Sequence, residues 1–198
     1  MKPLLDRVLA FTLRKDVEGG FSDNPADRGG PTFAGVSARS VGRLDANGDG
    51  ILDFDLDGDG DVDRDDIKGL ANHPDKVRAF YVDRYWTPSC CGELPAHLAL
   101  FVFDSAVHHG VRAAALLLQR CLGVKEDGVI GPRTIERARE MWGDGLELCL
   151  VERAELMRLI HQRRPESLVF RKGWSRRLFS LYREALYLVR DLAASRSN

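Results

Sequence analysis

Apolar positions at helical spacing organise most of the chain. Between residues 4 and 17 the apolar side chains fall mainly on one face, which is the pattern of an amphipathic helix. The glycine pair Gly19-Gly20 predicts the end of that helix. The same periodicity predicts further helices at 74–86, 95–109, 112–122, 132–142, 144–164 and 172–194. The pattern therefore predicts a mainly α fold.

One stretch of the chain breaks the helical pattern. Residues 18–32 hold four glycines and two prolines, so this stretch predicts a tight loop or a short β-hairpin. It carries two carboxyls and a hydroxyl, those of Glu18, Asp27 and Thr32. A helix end that faces a turn with a second carboxyl can form a glycosidase cleft. The alternative for Glu18 is a polar residue at a helix end without a chemical role.

Composition narrows the class of protein. The 198 residues are 44% hydrophobic, enough for one core or for two small cores. No apolar run has transmembrane length, and charges interrupt the N-terminus early, so neither an integral membrane segment nor a secretory signal is expected. The four cysteines lack the spacing of a zinc site and are expected to be buried or partly buried thiols. No nucleic-acid module is present in the sequence, and a monomer is expected.

The net charge of −1 conceals a strong asymmetry. Residues 45–66 contain ten aspartates and one arginine, a charge of −9, so the remainder of the chain carries +8. A basic body suits an anionic polymer or surface. The acidic insert suits cations.

The acidic insert has the spacing of calcium-binding loops. Residues 55–66 fit the twelve-residue loop of an EF-hand, with Gly60 at the sharp turn. Upstream, a second and overlapping loop begins at Asp45 but has Leu56 at its last position. The predicted ligands of a structural calcium ion are Asp55, Asp57, Asp59, Asp61, Asp63 and Asp66, with Asp45, Asn47 and Asp49 in the upstream loop. An aspartate at the last position predicts weaker binding than a glutamate, and an acidic linker is the alternative.

Two further residues are candidates for substrate contacts. The helix at 74–86 has a broad aromatic face, which is usually core, although aromatic rings also stack on sugars. Trp86, at its end, is expected to be the most exposed of them. Asp104 lies among apolar residues and is therefore either paired or functional. The turn-rich segment 88–95 is the best candidate for a domain boundary.

Several motifs, in order, resemble one known family. Residues 18–32, followed by Phe80–Trp86 and Glu93-Leu-Pro95, are similar to the signature of glycoside hydrolase family 108, which comprises bacterial and phage muramidases. Segments 100–110, 117–123 and 127–132, and then Gly173-Trp174, resemble the peptidoglycan-binding domain that usually follows. The resemblance implies a lysozyme-like helical catalytic domain at 1–92, with a short hairpin, and a peptidoglycan-binding helical domain at 93–198. The calcium-loop insert at 45–66 is not a usual feature of that family.

The resemblance also implies an activity. It implies an N-acetylmuramidase that hydrolyses the β-1,4 bond between N-acetylmuramic acid and N-acetylglucosamine in peptidoglycan and acts as a phage-type endolysin. Glu18 would protonate the leaving oxygen, while Asp27 and Thr32 would hold the attacking water, and Asp23 is a second candidate for the base. Trp86, Asp104 and Trp174 are the expected substrate-binding residues.

Two other functions remain open at this stage. A lytic transglycosylase would cleave the same bond with Glu18 alone and without a hydrolytic water. A non-catalytic, calcium-dependent module would only bind the cell wall. For the muramidase, synthesis in the bacterial cytoplasm and action on the wall in the periplasm after release are expected.

Overall fold

A computed structural model describes residues 2–14, 20–23, 29–141 and 145–196, and it confirms the mainly α prediction. Its α-helices are α1 Lys2–Thr12, α2 Ala38–Val41, α3 Arg64–Gly69, α4 Pro74–Tyr81, α5 Ala96–His109, α6 Val111–Leu122, α7 Pro132–Glu140, α8 Gly145–Arg163 and α9 Arg171–Arg196. Its strands are β1 Phe21–Ser22, β2 Thr32–Phe33 and β3 Val36–Ser37. Within the described residues, no helix combines the length and the apolar character needed to span a bilayer.

The chain divides into two compact units. One unit comprises residues 9–83, and the other comprises residues 1–8 together with 84–198. The division lies close to the turn-rich segment that the sequence favours as a boundary. The boundary between residues 92 and 93 stays a prediction.

The smaller unit is built around a three-stranded antiparallel sheet in the order β1-β2-β3. This sheet contains the hairpin predicted from the glycines and prolines of residues 18–32. Ala34 and Gly35 connect β2 to β3 with positive φ angles of 47° and 78°, as a two-residue hairpin turn of the I′ kind requires. The buried hydroxyl of Tyr81 donates to the Ala34 carbonyl at 2.7 Å and thereby fastens this turn to α4.

The aromatic face of α4 forms the core of the same unit. The Phe80 ring packs edge-on against Phe54, with 6.3 Å between centroids, and against Tyr81, with 5.5 Å. Ile67 on α3 and Val36 on β3 are both fully buried. Burial of these large side chains is the main stabilising contribution to a unit with so little regular structure.

The larger unit is a packed helical assembly centred on α5. Every residue from 97 to 106 is buried, so α5 is apolar and enclosed on all sides. Helices α6, α8 and α9 pack against it. At its periphery, Arg7 on α1 pairs with Glu184 at 2.9 Å and with Asp191 at 2.5 Å, both on α9. The predicted helices of this region agree with the observed ones to within a few residues.

Candidate functional site

Thr32 occupies the central strand of the small sheet. In register it faces Ser22 on β1 and Ser37 on β3. Directly paired residues of antiparallel strands point to the same face, so three hydroxyl side chains form a row. The Thr32 hydroxyl donates to the Gly30 carbonyl at 3.1 Å. The sequence analysis missed Ser22 and Ser37, because two-residue strands are too short to show an alternating pattern.

The two predicted catalytic carboxyls, those of Glu18 and Asp27, lie outside the described residues. Gly20 follows Glu18 by two residues, and its carbonyl accepts a hydrogen bond from the Ala34 amide at 3.0 Å. The first strand begins at Phe21, directly after the glycine pair. Helix α1 ends at Thr12, several residues earlier than the glycine pair at which the sequence predicted its end, so that boundary was wrong.

An apolar pocket lies beside this hairpin, within the smaller unit. Its volume is about 340 Å³. Its lining is formed by Leu13, Gly20, Phe33, Ala34, Leu70, Ala71, Pro74 and Val77. The pocket can receive a small apolar group next to the hydroxyl-bearing sheet.

Arg64 connects the acidic insert to the hairpin. Its Nε donates to Asp23 Oδ2 at 2.6 Å, and its guanidinium lies over the Phe21 ring at 5.5 Å from the centroid. The hydrogen bond to Asp23, with the charge of that carboxylate, raises the pKa of Arg64. Asp23, the second candidate for the base, is thus engaged by a cation. The sequence analysis did not single out Arg64, because no local pattern predicts a contact across 41 residues.

The two loops of the acidic insert share one backbone geometry. Asp45 accepts hydrogen bonds from the amides of Gly48 at 2.7 Å and Gly50 at 2.9 Å. Ten residues later, Asp55 accepts from the corresponding glycines, at 2.6 Å and 2.9 Å. All four glycines have positive φ, which glycine adopts without strain. The upstream loop is therefore folded in the same way. The side-chain amide of Asn47 donates to Asp49 Oδ2 at 2.8 Å.

The downstream loop gathers six carboxylates into two groups. Within each group, ligand atoms from all three residues lie within 4.8 Å of one another. The groups are Asp55, Asp57 and Asp59, and then Asp61, Asp63 and Asp66. The pKa of Asp61 is raised, chiefly by the negative charge of Asp59. This mutual repulsion is the electrostatic condition that a bound cation relieves.

Asp66 differs from the other carboxylates of the loop because it is 2% exposed. One of its oxygens accepts from the Leu56 amide at 2.6 Å and the other from the Asp63 amide at 2.8 Å. Asp63 in turn caps α3 by accepting from the amides of Asp65 and Asp66. These carboxylates can serve a cation only with the lone pairs that the backbone leaves free.

Trp86 was expected to be exposed, but it is buried. Only 5% of its surface is accessible, and its ring packs against Phe103 with 5.9 Å between centroids. The physical reason is the π-helical turn Val82–Trp86 that follows α4 and carries the indole into the larger unit's core. A role for Trp86 in substrate binding stays a prediction.

Asp104 is paired, which is one of the two alternatives left open by the sequence. It is fully buried, with Arg177 Nε at 3.0 Å from Oδ1 and Arg153 Nη1 at 2.6 Å from Oδ2. Burial raises its pKa, but the charges of the two arginines outweigh that effect and hold the pKa below its ordinary value. Its assignment to substrate binding stays a prediction.

Trp174 lies in a half-buried cluster of histidines. The His161 ring stacks on it at 4.7 Å between centroids, and the His108 ring meets it edge-on at 4.7 Å. The His108 and His109 rings lie 4.2 Å apart between centroids. Burial is the main cause that lowers the pKa of His109 to about 4 and that of His108 to about 2. A sugar-binding role for Trp174 stays a prediction.

The fold and hairpin define a helical protein with a small sheet and a turn-rich candidate active region. Residues 10–110 match the family Glycosyl hydrolase 108, so just over half of the chain is covered. The chain therefore belongs to this glycoside hydrolase family, as the resemblance of its motifs implied. No curated protein matches the chain.

A solved structure extends the likeness to the whole chain. The structure of Brucella abortus SagA is 26% identical in sequence, with a TM-score of 0.74. The similarity covers 98% of this chain and 99% of SagA. The likeness therefore includes residues of both compact units.

Proposed function

We propose that this chain is an N-acetylmuramidase that hydrolyses the β-1,4 bond between N-acetylmuramic acid and N-acetylglucosamine in peptidoglycan. The observation that carries the proposal is the family match over residues 10–110, which includes the whole stretch 18–32. The enzyme acts as an endolysin and as a monomer. It is made in the bacterial cytoplasm and reaches the wall after release, and its +8 body favours contact with an anionic wall.

In the proposed mechanism, Glu18 is the general acid that protonates the leaving glycosidic oxygen. Asp27 and Thr32 hold the water that attacks the opposite face of the sugar. Thr32 stands on the central strand, so neighbouring strands limit its movement on both sides. A carboxyl separation of roughly 6.5–9.5 Å would give inversion, and one of about 5–5.5 Å retention.

The described surroundings of the hairpin suit an N-acetylated sugar. The hydroxyl row of Ser22, Thr32 and Ser37 can exchange hydrogen bonds with sugar hydroxyls. The apolar pocket of about 340 Å³ can hold the methyl of an acetamido group. The three hydroxyl residues do not line this pocket, so the two features support an amino-sugar polymer as separate contacts.

We also propose that the acidic insert binds calcium as a structural ion. Both clusters of three aspartates in the downstream loop consist of hard oxygen donors, which calcium prefers. The glycine turns give the backbone the curvature that brings these donors together. The ion supplies positive charge among the aspartates and has no part in bond cleavage. Through Arg64, it keeps the hairpin in place.

The deciding experiment is mass analysis of purified peptidoglycan digested by the wild type and by Glu18→Gln. The wild type should release fragments with reducing muramic acid ends, and Glu18→Gln should lower the rate by about 10²–10⁴-fold because the general acid is lost. Glu136→Gln is the matched control, since Glu136 is exposed on α7, and it should digest like the wild type.

Each alternative function has its own outcome in that experiment. Fragments with 1,6-anhydro ends would replace the hydrolase by a lytic transglycosylase. Binding to the wall without any release of fragments by the wild type would favour the non-catalytic module. Full activity of Glu18→Gln would overturn the assignment of the acid.

A further inference from the structure

Three exposed apolar side chains in a row form the turn between α8 and α9. Leu168, Val169 and Phe170 are 49%, 77% and 59% exposed. Elsewhere in the described part of the chain, exposed large apolar residues are not consecutive in sequence. Single exposed apolar residues are ordinary on a protein surface, whereas a contiguous group marks an interaction site. We refer to residues 168–170 as the apolar tip.

The apolar tip is held outward by a polar anchor. Ser167 is only 9% exposed, and its hydroxyl donates to the Arg164 carbonyl at 2.6 Å. The same hydroxyl lies 2.7 Å from Nδ1 of His161, whose ring stacks on Trp174. Because Ser167 is fixed on the inner side of the turn, the next three side chains stand in solvent. The exposure is therefore a property of an ordered turn.

Basic residues flank the apolar tip on both sides in sequence. Residues 163–176 contain five basic residues and one acidic residue, a net charge of +4. All five basic side chains are exposed, and none pairs with a carboxylate among the described residues. The five are Arg163, Arg164, Arg171, Lys172 and Arg176. The segment thus combines three exposed apolar side chains with nearby basic side chains that no carboxylate among the described residues neutralises.

We propose that the apolar tip docks on an anionic phospholipid bilayer. Apolar side chains enter the boundary of the acyl chains, while flanking cations remain at the phosphate level and are attracted by the surface potential. A glycan would fit less well, because Leu168 and Val169 offer neither hydrogen-bond donors nor acceptors. The exposed Phe179 borders another apolar groove, but among the described residues Glu147 is the only charged residue that lines that groove.

Co-sedimentation with lipid vesicles tests the proposal on the full chain. The wild type should bind vesicles of phosphatidylcholine with about a third phosphatidylglycerol and should not bind pure phosphatidylcholine. Val169→Ser with Phe170→Ser should lower the partition coefficient at least tenfold. Arg171→Gln with Lys172→Gln should lower it roughly 25-fold, about fivefold for each charge. Two controls, Val129→Ser and Arg133→Gln, remove an exposed valine and an exposed arginine elsewhere and should bind like the wild type.

A second measurement reports insertion directly. The fluorescence added by Phe170→Trp should be quenched by vesicles with brominated acyl chains, and absence of quenching would overturn insertion of the tip. Equal binding to neutral vesicles, or an equal loss in both controls, would also overturn the proposal.

A separate assay with insoluble peptidoglycan distinguishes a wall-binding surface from a lipid-binding one. Tip variants should bind and digest purified peptidoglycan like the wild type. If the variants lose binding to peptidoglycan while vesicle binding is unchanged, the tip contacts the wall and the lipid proposal is wrong. Failure of the vesicle assay leaves the muramidase activity measurable, so the two proposals fail independently.

Discussion

The two compact units use polar side chains in opposite ways. In the unit of residues 9–83, Asp45 and Asp55 bond to backbone amides within five residues of themselves. In the larger unit, Asp104 bonds to Arg177, which is 73 residues away. The first kind of contact shapes a loop, and the spacing of residues along the sequence predicts it. The second holds helices together and is invisible in any local pattern.

The two units therefore depend on different electrostatic contributions to their stability. The loops of the smaller unit expose most of their carboxylates, so their mutual repulsion is a cost that a cation removes. The larger unit buries the charges of Asp104, Arg153 and Arg177, so their contribution to stability depends on complete pairing. Perturbations aimed at one unit should therefore leave the other largely unaffected.

The largest effect on stability is expected from Asp104→Ala. Its removal takes away a carboxylate that contacts the buried guanidinium groups of both Arg153 and Arg177, which should destabilise the protein by about 3–5 kcal/mol. Urea unfolding measures the free energy. Asp83→Ala, at an exposed aspartate, is the control and should change the free energy by less than about 0.5 kcal/mol. A loss below about 1 kcal/mol for Asp104→Ala would show that the buried charges are paired by other groups.

Calcium is expected to stabilise the smaller unit, residues 9–83, which contains the acidic insert. At a calcium concentration about 100-fold above the dissociation constant, a single site stabilises by about 2.7 kcal/mol, which raises Tm by several degrees over the value in chelator. Asp57→Asn and Asp59→Asn remove ligands and should abolish the difference. Asp65→Asn makes the same charge change outside the ligand positions and should retain it. Identical melting of the wild type with calcium and with chelator would remove the structural ion.

Acid is expected to destabilise the larger unit through its buried histidines. The folded pKa of His109 is about 4, below the unfolded value of roughly 6.5, so the unfolded chain binds more protons between these values. Stability should therefore be full above pH 6.5 and fall as the pH drops towards 4, by up to about 1.4 kcal/mol per pH unit for one histidine.

Unfolding free energies measured between pH 7 and pH 4 test this pH dependence. His109→Gln should flatten the slope, because it removes a group that must stay neutral in the fold. His73→Gln, at an exposed histidine of the smaller unit, should leave the slope unchanged. His108, whose pKa is also lowered, keeps its own contribution in this variant, so only a slope as steep as in the wild type would exclude His109 as a source of the acid sensitivity.

The comparison of the units also explains how far the sequence could be interpreted. Helical periodicity predicted α5 and α6 closely, and glycine spacing predicted the hairpin and the shared turns of the two acidic loops. These features depend on interactions within a few residues. The burial of Trp86 and the convergence of His108 and His109 on Trp174 depend on how helices pack. No spacing rule contains that information.

The candidate site likewise has parts that the sequence predicted and parts that only the structure reveals. Thr32 was predicted from its place in the turn-rich stretch, and the sheet gives it two hydroxyl neighbours that only the strand register reveals. The contact between Arg64 and Asp23 joins two motifs that the sequence presented separately. The acidic insert thus touches the hairpin directly, and the effect of that contact on turnover can be measured.

Arg64→Ala is expected to have the smallest effect on stability and a clear effect on catalysis. The Arg64 and Asp23 side chains are 55% and 36% exposed, so solvent screens their ion pair and its loss should cost less than about 1 kcal/mol. Loss of the contact frees β1 to shift, and a displacement in the ångström range should lower kcat about tenfold or more. Arg64→Lys should restore part of the rate, and Arg43→Ala, at an exposed arginine nearby, should behave like the wild type.

The same variant tests whether calcium acts through Arg64. If the ion supports the hairpin by placing Arg64, chelator should lower kcat in the wild type but have little further effect in Arg64→Ala, a non-additive result. Fully multiplicative losses would mean that the ion and Arg64 act independently. An unchanged kcat in Arg64→Ala would mean that the hairpin holds its geometry without the insert, and the two motifs would again be separate, as they are in the sequence.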